Sequence, residues 1–408
     1  MISGTLSADA MPPELRLLLA CAKPSTGAED DALIRQLLNT GIDWAAFARK
    51  ALDHNLLGLA GRTLRRVASD VIPEELLDAF RIHLEETRLR NRELFAELNL
   101  IVQTLAAQGI NTIPFKGPVI AVEAYGDIGL RAFRDLDFLI RDSDVRATRA
   151  VLRRLGYDRP APLTESQIDM IEYLQGQDLV MKNSAGIEVE PHSRLISAKM
   201  ALDIDYEGLW SRARVSVVEG QSMMVFAPED HLQILAIHGG KEMWWRIGWV
   251  SDIAAFIGSH PSVDWDAILT RARRQGSLRM LLLATELARQ YFGAAIPAAV
   301  MAAAKADRAI PEMVRNIAAG WSETAPLGPP SNKTVSMDRL RLHDGFARRA
   351  RYVARTIFLP GPHHVAWVAL PRPLAFAYVP LKLVHDLALL PLWRARGYVL
   401  KAWPSNPS

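Results

Sequence analysis

The chain has 408 residues, of which 50% are hydrophobic and 23% charged, with a net charge of +3 and a single cysteine, Cys21. That length allows two or three domains and a sizeable core, and the composition excludes disorder as the main state. The lone cysteine excludes an internal disulfide and any multi-cysteine metal centre, and the near-balanced charge argues against nucleic acid as a partner.

The first eleven residues are small and polar, with Asp9 and no Lys or Arg, and do not read as a signal peptide. A reducing cytoplasm is the expected compartment. Up to about residue 109 the pattern is helical. Apolar residues recur every three or four positions over Ala28–Leu38, Trp44–Leu52 and Leu76–Leu105. Pro73-Glu74-Glu75 opens the last of these and Gly109 is a fitting stop, so one long helix is predicted. Arg88, Arg90 and Arg92 are expected on its solvated face.

From about 110 to 227 strands and helices mix. Strands are predicted over 111–115, 136–140, 178–182 and 187–192, the last two joined by Asn183-Ser184-Ala185-Gly186. Helices are predicted over 119–125 and over 144–155, before Gly156. Two runs, 215–218 and 223–226, flank Glu219-Gly220-Gln221 as a hairpin.

From Pro228 the chain reads as helical again, with predicted helices from 228 to about 243, over 247–257 and over 265–274. Residues 326–330 read as a loop. The basic segment with Arg339, Arg341, Arg348, Arg349, Arg351 and Arg355 is expected as a solvated helix face, and His363-His364 as a loop without metal-ligand spacing. The apolar stretch Val365–Trp393 is interrupted by Arg372, Lys382, His385, Asp386 and four prolines. It is expected to pack or to touch a membrane peripherally, not to span one. The expected divisions are 1–109 (helical), 110–227 (α/β core), 228–325 (a helical domain completing the site) and 326–408 (basic and helical).

The sharpest chemical signal is Arg134-Asp135-Leu136-Asp137-Phe138-Leu139-Ile140. On a strand, residues i and i+2 share a face, so Asp135 and Asp137 project together while Leu136 and Phe138 face the core. Two carboxylates that close repel unless a cation relieves them, and Mg²⁺ is held by one or two carboxylates plus substrate phosphates. Upstream, Ile113-Pro114-Phe115-Lys116-Gly117-Pro118 reads as a strand end, a glycine turn and a helix start. Such a helix N-terminus suits a phosphate, and Lys116 adds a point charge. Downstream, Glu188 and Glu190 share one face of a strand, and either could complete a three-carboxylate cluster able to hold two metals.

These pieces, in this order, resemble the nucleotidyltransferase superfamily of the DNA polymerase β type, and within it the uncharacterised nucleotidyltransferase family of bacteria. The resemblance rests on Phe115-Lys116-Gly117, Gly129-Leu130-Arg131, Asp135-Leu136-Asp137-Phe138-Leu139-Ile140, Leu155-Gly156-Tyr157 and Val189-Glu190-Pro191-His192. It continues through His238-Gly239-Gly240-Lys241, Trp245, Trp249 and Asp252-Ile253-Ala254, and so covers roughly residues 95 to 260. It implies an α+β fold: a polymerase β-like core with a mixed sheet between helical regions. It also implies Asp135, Asp137 and Glu190 as metal ligands, for Mg²⁺ or Mn²⁺, with a nucleoside triphosphate as substrate. Lys116, Gly117 and Arg131 would lie at the triphosphate.

Lys241 could reach a phosphate or pair with Asp252, and His192 could orient Glu190. Trp244, Trp245 and Trp249 are expected to fill a junction between blocks rather than stack on a base. Three features depart from the superfamily pattern: Gly117-Pro118 replaces Gly-Ser, Glu190 replaces Asp, and Gly117 and Asp135 stand 18 residues apart. The expected reaction is transfer of a nucleoside monophosphate to an unidentified acceptor hydroxyl or phosphate on a peptide, protein or small molecule. The alternatives are γ-phosphate transfer by a kinase using the same site, and a non-catalytic nucleotide-binding scaffold.

Overall fold

The computed structural model describes residues 11–159, 163–175, 180–322 and 336–389. The chain forms two compact units. The described residues of 1–103, 113–136 and 204–330 form the first, and those of 104–112, 137–203 and 331–408 the second. This division differs from the four consecutive blocks expected from the sequence. It follows tertiary packing, which returns the chain to each unit more than once.

The first unit opens with α1 (Pro13–Cys21), α2 (Ala28–Leu38), α3 (Trp44–Asp53), α4 (Leu57–Ala68) and the long α5 (Glu74–Ala106). Helix α1 lacks amphipathic spacing because Leu15, Leu17, Leu18 and Leu19 are all buried, so periodicity could not announce it. Helix α3 begins where the Asp43 carboxylate accepts the N–H groups of Ala45 and Ala46 at 2.9 and 3.0 Å. Arg88 on α5 is not part of a solvated face: it donates to Asp127 at 2.7 Å. Strand β1 (Ile113–Pro114) leads into α6 (Gly117–Tyr125).

The second unit holds most of strand β2 (Asp135–Leu139), which continues from the first unit. It adds α7 (Val145–Arg154), α8 (Glu165–Gln175), β3 (Met181–Lys182) and β4 (Glu188–His192). The strand order is β1-β2-β4-β3, and β3 pairs antiparallel with β4 in the register Met181↔Val189 and Lys182↔Glu188.

The first unit resumes with α9 (Tyr206–Arg212) and the hairpin of β5 (Arg214–Val218) and β6 (Gln221–Val225). The turn is shorter than the sequence suggested. Glu219 and Gly220 alone make it, at φ 45° and 78°, so Gln221 already pairs with Val218. Helices α10 (Pro228–Lys241), α11 (Ile247–Ser259), α12 (Trp265–Gln275), α13 (Leu278–Phe292), α14 (Ala298–Ala306) and α15 (Ile310–Ser322) complete this unit.

The second unit ends in α16 (Met337–Arg341), α17 (Phe346–Phe358), α18 (Pro362–Trp367) and α19 (Tyr378–Val384). Two expectations change here. His363 and His364 lie on a helix, not in a loop. The basic segment is not a solvated face, because its arginines tie the unit together. Arg339 is buried, Arg351 donates to Asp203 at 2.8 Å, and Arg355 donates to the Ala198 carbonyl at 2.8 Å. The loop expected over 326–330 lies outside the described residues. Among the described residues no helix is long and apolar enough to cross a membrane.

Candidate active site

The carboxylates of the second unit are placed by two strands. From Leu136 onward β2 is buried on both faces, and Leu136 and Phe138 are fully covered. Asp137 is therefore carried inside, at 4% exposure. A carboxylate that deep requires hydrogen-bond partners, a counter-charge or a metal. On β4 burial alternates, with Val189 and Pro191 inward and Glu188, Glu190 and His192 on the other face. The Ile140 N–H donates to the His192 carbonyl at 2.8 Å, which brings β4 beside the end of β2.

His192 Nε2 then lies 2.8 Å from Asp137 Oδ1 and 3.5 Å from Glu190 Oε2. One ligand atom from each of Asp137, Glu190 and His192 falls within 4.8 Å of the others. The geometry also separates the two glutamates. Glu188 takes Lys182 Nζ at 3.0 Å across the β3–β4 register, while Glu190 joins Asp137. His192 was expected to orient Glu190, yet it sits nearer to Asp137. The two carboxylates offer oxygen donors suited to Mg²⁺ or Mn²⁺, with His192 orienting Asp137, and the two like charges gain from a shared cation.

In the first unit the Lys116-Gly117 turn is conformationally special. Lys116 has φ 52° and ψ −151°, a region populated almost only by glycine, and Gly117 has φ 38°. Holding Lys116 there costs about 1–3 kcal/mol, and such strain clusters at functional sites. A Cβ on Gly117 would meet the Phe133 ring at 3.4 Å and the Asp135 carbonyl at 3.6 Å. The turn therefore abuts the residues that lead into the Asp-Leu-Asp strand. Asp135, at the start of β2, is half-buried.

Arg131 is held by a second network of the same unit. Its Nε donates to both Asp252 oxygens, at 3.0 and 2.9 Å, and Tyr125 Oη donates to Asp252 at 2.8 Å. Burial opposes the charge on Arg131, and Asp252 more than offsets it, so the guanidinium titrates above its ordinary value. The Tyr125 hydroxyl is pushed up by burial and by Asp252. The loop carrying Arg131 is pinned by side-chain amides: Asn91 donates to the Arg131 carbonyl at 2.9 Å and Asn55 to that of Ala132 at 2.7 Å. The cleft beside Arg131 measures about 10 Å³, scarcely the space of one water.

Lys241, at the end of α10, lies 3.2 Å from Glu242, whereas Asp252 belongs to the Arg131 network. The glycines between His238 and Lys241 have a packing reason. A Cβ on Gly239 would stand 2.3 Å from the Trp244 ring. The chain reverses at Met243 and Trp244, both at positive φ, to seat that ring. Trp244 is fully buried, and Trp245 and Trp249 meet edge to face at 5.4 Å.

The residue that sequence reading missed is Arg246. Its guanidinium stacks 4.3 Å from the Trp245 ring centroid. Burial and the nearby Arg134 lower its pKa, while Asp135 acts to raise it. The Trp-Trp-Arg run was its only signal.

A family model described as "Uncharacterised nucleotidyltransferase" matches residues 40–293, more than half of the chain. Four solved chains match. One is an antigenic nucleotidyltransferase-like protein from Paracoccidioides brasiliensis, 16% identical, with a TM-score of 0.33, covering 52% of this chain and 97% of that one. No curated protein matches.

Proposed function

The chain belongs to the uncharacterised nucleotidyltransferase family, and from that premise we propose that it transfers a nucleoside monophosphate from a nucleoside triphosphate to an acceptor hydroxyl or phosphate. The observation that carries this reading is the convergence of Asp137, Glu190 and His192, with ligand atoms within 4.8 Å on strands that also carry Asp135.

Asp135, Asp137 and Glu190 are the proposed ligands of Mg²⁺ or Mn²⁺. When bound, such ions neutralise charge on the triphosphate and acidify an attacking oxygen. His192 fixes the Asp137 carboxylate in one orientation through its 2.8 Å bond. Gly117 has no side chain to bar a phosphate, while Pro118 offers no N–H. Lys116 supplies a point charge for the leaving pyrophosphate, and Arg131, held through Nε by Asp252, is a further proposed positive charge at the triphosphate. Lys241 is a further proposed phosphate contact. Catalysis of this kind is mostly positioning and charge neutralisation.

Calorimetry with ATP and GTP, with and without Mg²⁺, tests the site. Metal-dependent binding is expected in the wild type and is expected to vanish in Asp135→Asn/Asp137→Asn. Lack of binding by well-folded wild type would sink the reading. Incubation of a peptide and metabolite mixture with α- or γ-labelled ATP then reads the reaction type. Label from the α position is expected in the product, and label from the γ position alone would make the protein a kinase.

A further inference from the structure

Outside the residues matched by the family model, the second unit gathers three of the chain's histidines. His363 and His364 on α18 meet His385 and Asp386, which directly follow α19. One ligand atom from each of the four lies within 4.8 Å of the others. His385 Nδ1 is 2.8 Å from Asp386 Oδ1, and His364 Nε2 is 3.4 Å from the same oxygen. Bonds of about 2.0–2.2 Å to one ion place neighbouring ligand atoms roughly 3 Å apart, so the His385–Asp386 separation suits donors that share a metal.

We propose that His363, His385 and Asp386 bind a divalent transition-metal ion of the zinc type, with His364 holding Asp386 in place. Imidazole nitrogen is a preferred ligand of zinc, copper and nickel, whereas Mg²⁺ takes oxygen.

The hydrogen bonds assign the roles. The Gly361 N–H donates to His364 Nδ1 at 2.8 Å, so Nε2 carries the proton and points it at Asp386. His364 therefore orients the carboxylate rather than ligating. Lys382 Nζ lies 2.5 Å from Asp386 Oδ2, which keeps the carboxylate ionised and leaves Oδ1 toward the histidines.

The cations facing the cluster are Lys382 and Lys199.

The test uses the full chain, stripped with chelator and titrated with Zn²⁺ against a chromophoric competitor, with bound metal counted by mass spectrometry. One zinc per chain is expected. His363→Ala and His385→Ala are each expected to lose it, while His364→Gln is expected to bind about 10–100-fold more weakly. Asp137→Asn/Glu190→Gln, which removes the oxygen-rich cluster, is expected to retain the zinc. Co²⁺ in place of Zn²⁺ is expected to give visible absorption in the wild type. That spectrum decides the matter even where a histidine variant fails to fold. No uptake of either ion by folded wild type, or full zinc occupancy in folded His363→Ala and His385→Ala, would overturn the proposal.

Discussion

In the first unit Arg131 meets Asp252 at 2.9 Å, and the same carboxylate takes the Tyr125 hydroxyl. In the second, Asp137 and Glu190 converge with His192 between them. Both groups come from the segments that carry the family resemblance, yet they differ in kind. The first pairs opposite charges, with side-chain exposures of 11% for Arg131 and 5% for Asp252, and so supports a pinned loop. The second gathers like charges at a buried position. Such an arrangement costs stability and gains from an added cation. The contrast teaches that a motif carboxylate can hold a neighbouring side chain, as Asp252 holds Arg131, or stand beside another carboxylate that a cation would relieve, as Asp137 does, and that the sign of its neighbours separates the two.

The largest effect should come from Asp252→Asn. Removing one partner of a buried pair leaves Arg131 charged without compensation, at a cost of about 3–5 kcal/mol, read by denaturant unfolding. A loss below about 1 kcal/mol would place Asp252 with the chemistry and break the contrast. Asp137→Asn should do the reverse. It is expected to lower nucleotide transfer at least about 100-fold, in line with the loss of a key electrostatic group. Its melting temperature is expected to hold or rise, because a like-charge contact is relieved. Unaltered turnover in that variant would remove Asp137 from the site.

Gly239→Ala probes the scaffold without touching a charge. Its Cβ would fall 2.3 Å from the Trp244 ring, so overpacking is expected to cost about 1–3 kcal/mol in the same unfolding assay. Gly117→Ala should cost about 1–2 kcal/mol, because its φ of 38° strains any side chain. Because this turn abuts β2, its nucleotide affinity is also expected to fall.

The smallest effect concerns pH. His54 is half-buried in the first unit, accepts the Ile247 N–H at 3.4 Å, and has its pKa lowered from 6.5 to about 4, first by desolvation and then by Lys50 and Arg246. The unfolded chain takes up a proton on His54 near pH 6.5, while the folded one resists until about pH 4. Stability is therefore lost as pH falls through that window. His54→Asn should show a flatter decline between those two values, and equal slopes would remove His54 from the balance.

Much of the second unit's oxygen-rich cluster was legible because strand geometry is local. The alternation Asp135-Leu136-Asp137 and Glu188-Val189-Glu190 fixes which side chains share a face, and adjacent residues settle that without reference to the rest of the chain. Helices α2, α3 and α5 were legible for the same reason. Helix α1, buried too evenly to show a period, was not. Alternation alone left Glu188 and Glu190 open; the resemblance pointed to Glu190, and the β3–β4 register gives the physical reason by handing Glu188 to Lys182.

The nitrogen-rich cluster lies at the other extreme. His363 and His385 are 22 positions apart, at no spacing that marks a metal site, and the pair His363-His364 read as loop. Likewise, Arg351 and Arg355 read as a solvated face until Asp203 and the Ala198 carbonyl, some 150 residues earlier, closed on them. Composition, periodicity and motif order by themselves determined the class of fold, the strand that carries the paired aspartates, and the kinship of roughly residues 95 to 260. Only the tertiary structure decided which charges neutralise one another, that Lys182 takes Glu188, and that distant histidines meet. Those outcomes depend on side chains far apart in sequence, whose proximity is set by packing and register rather than by any local rule.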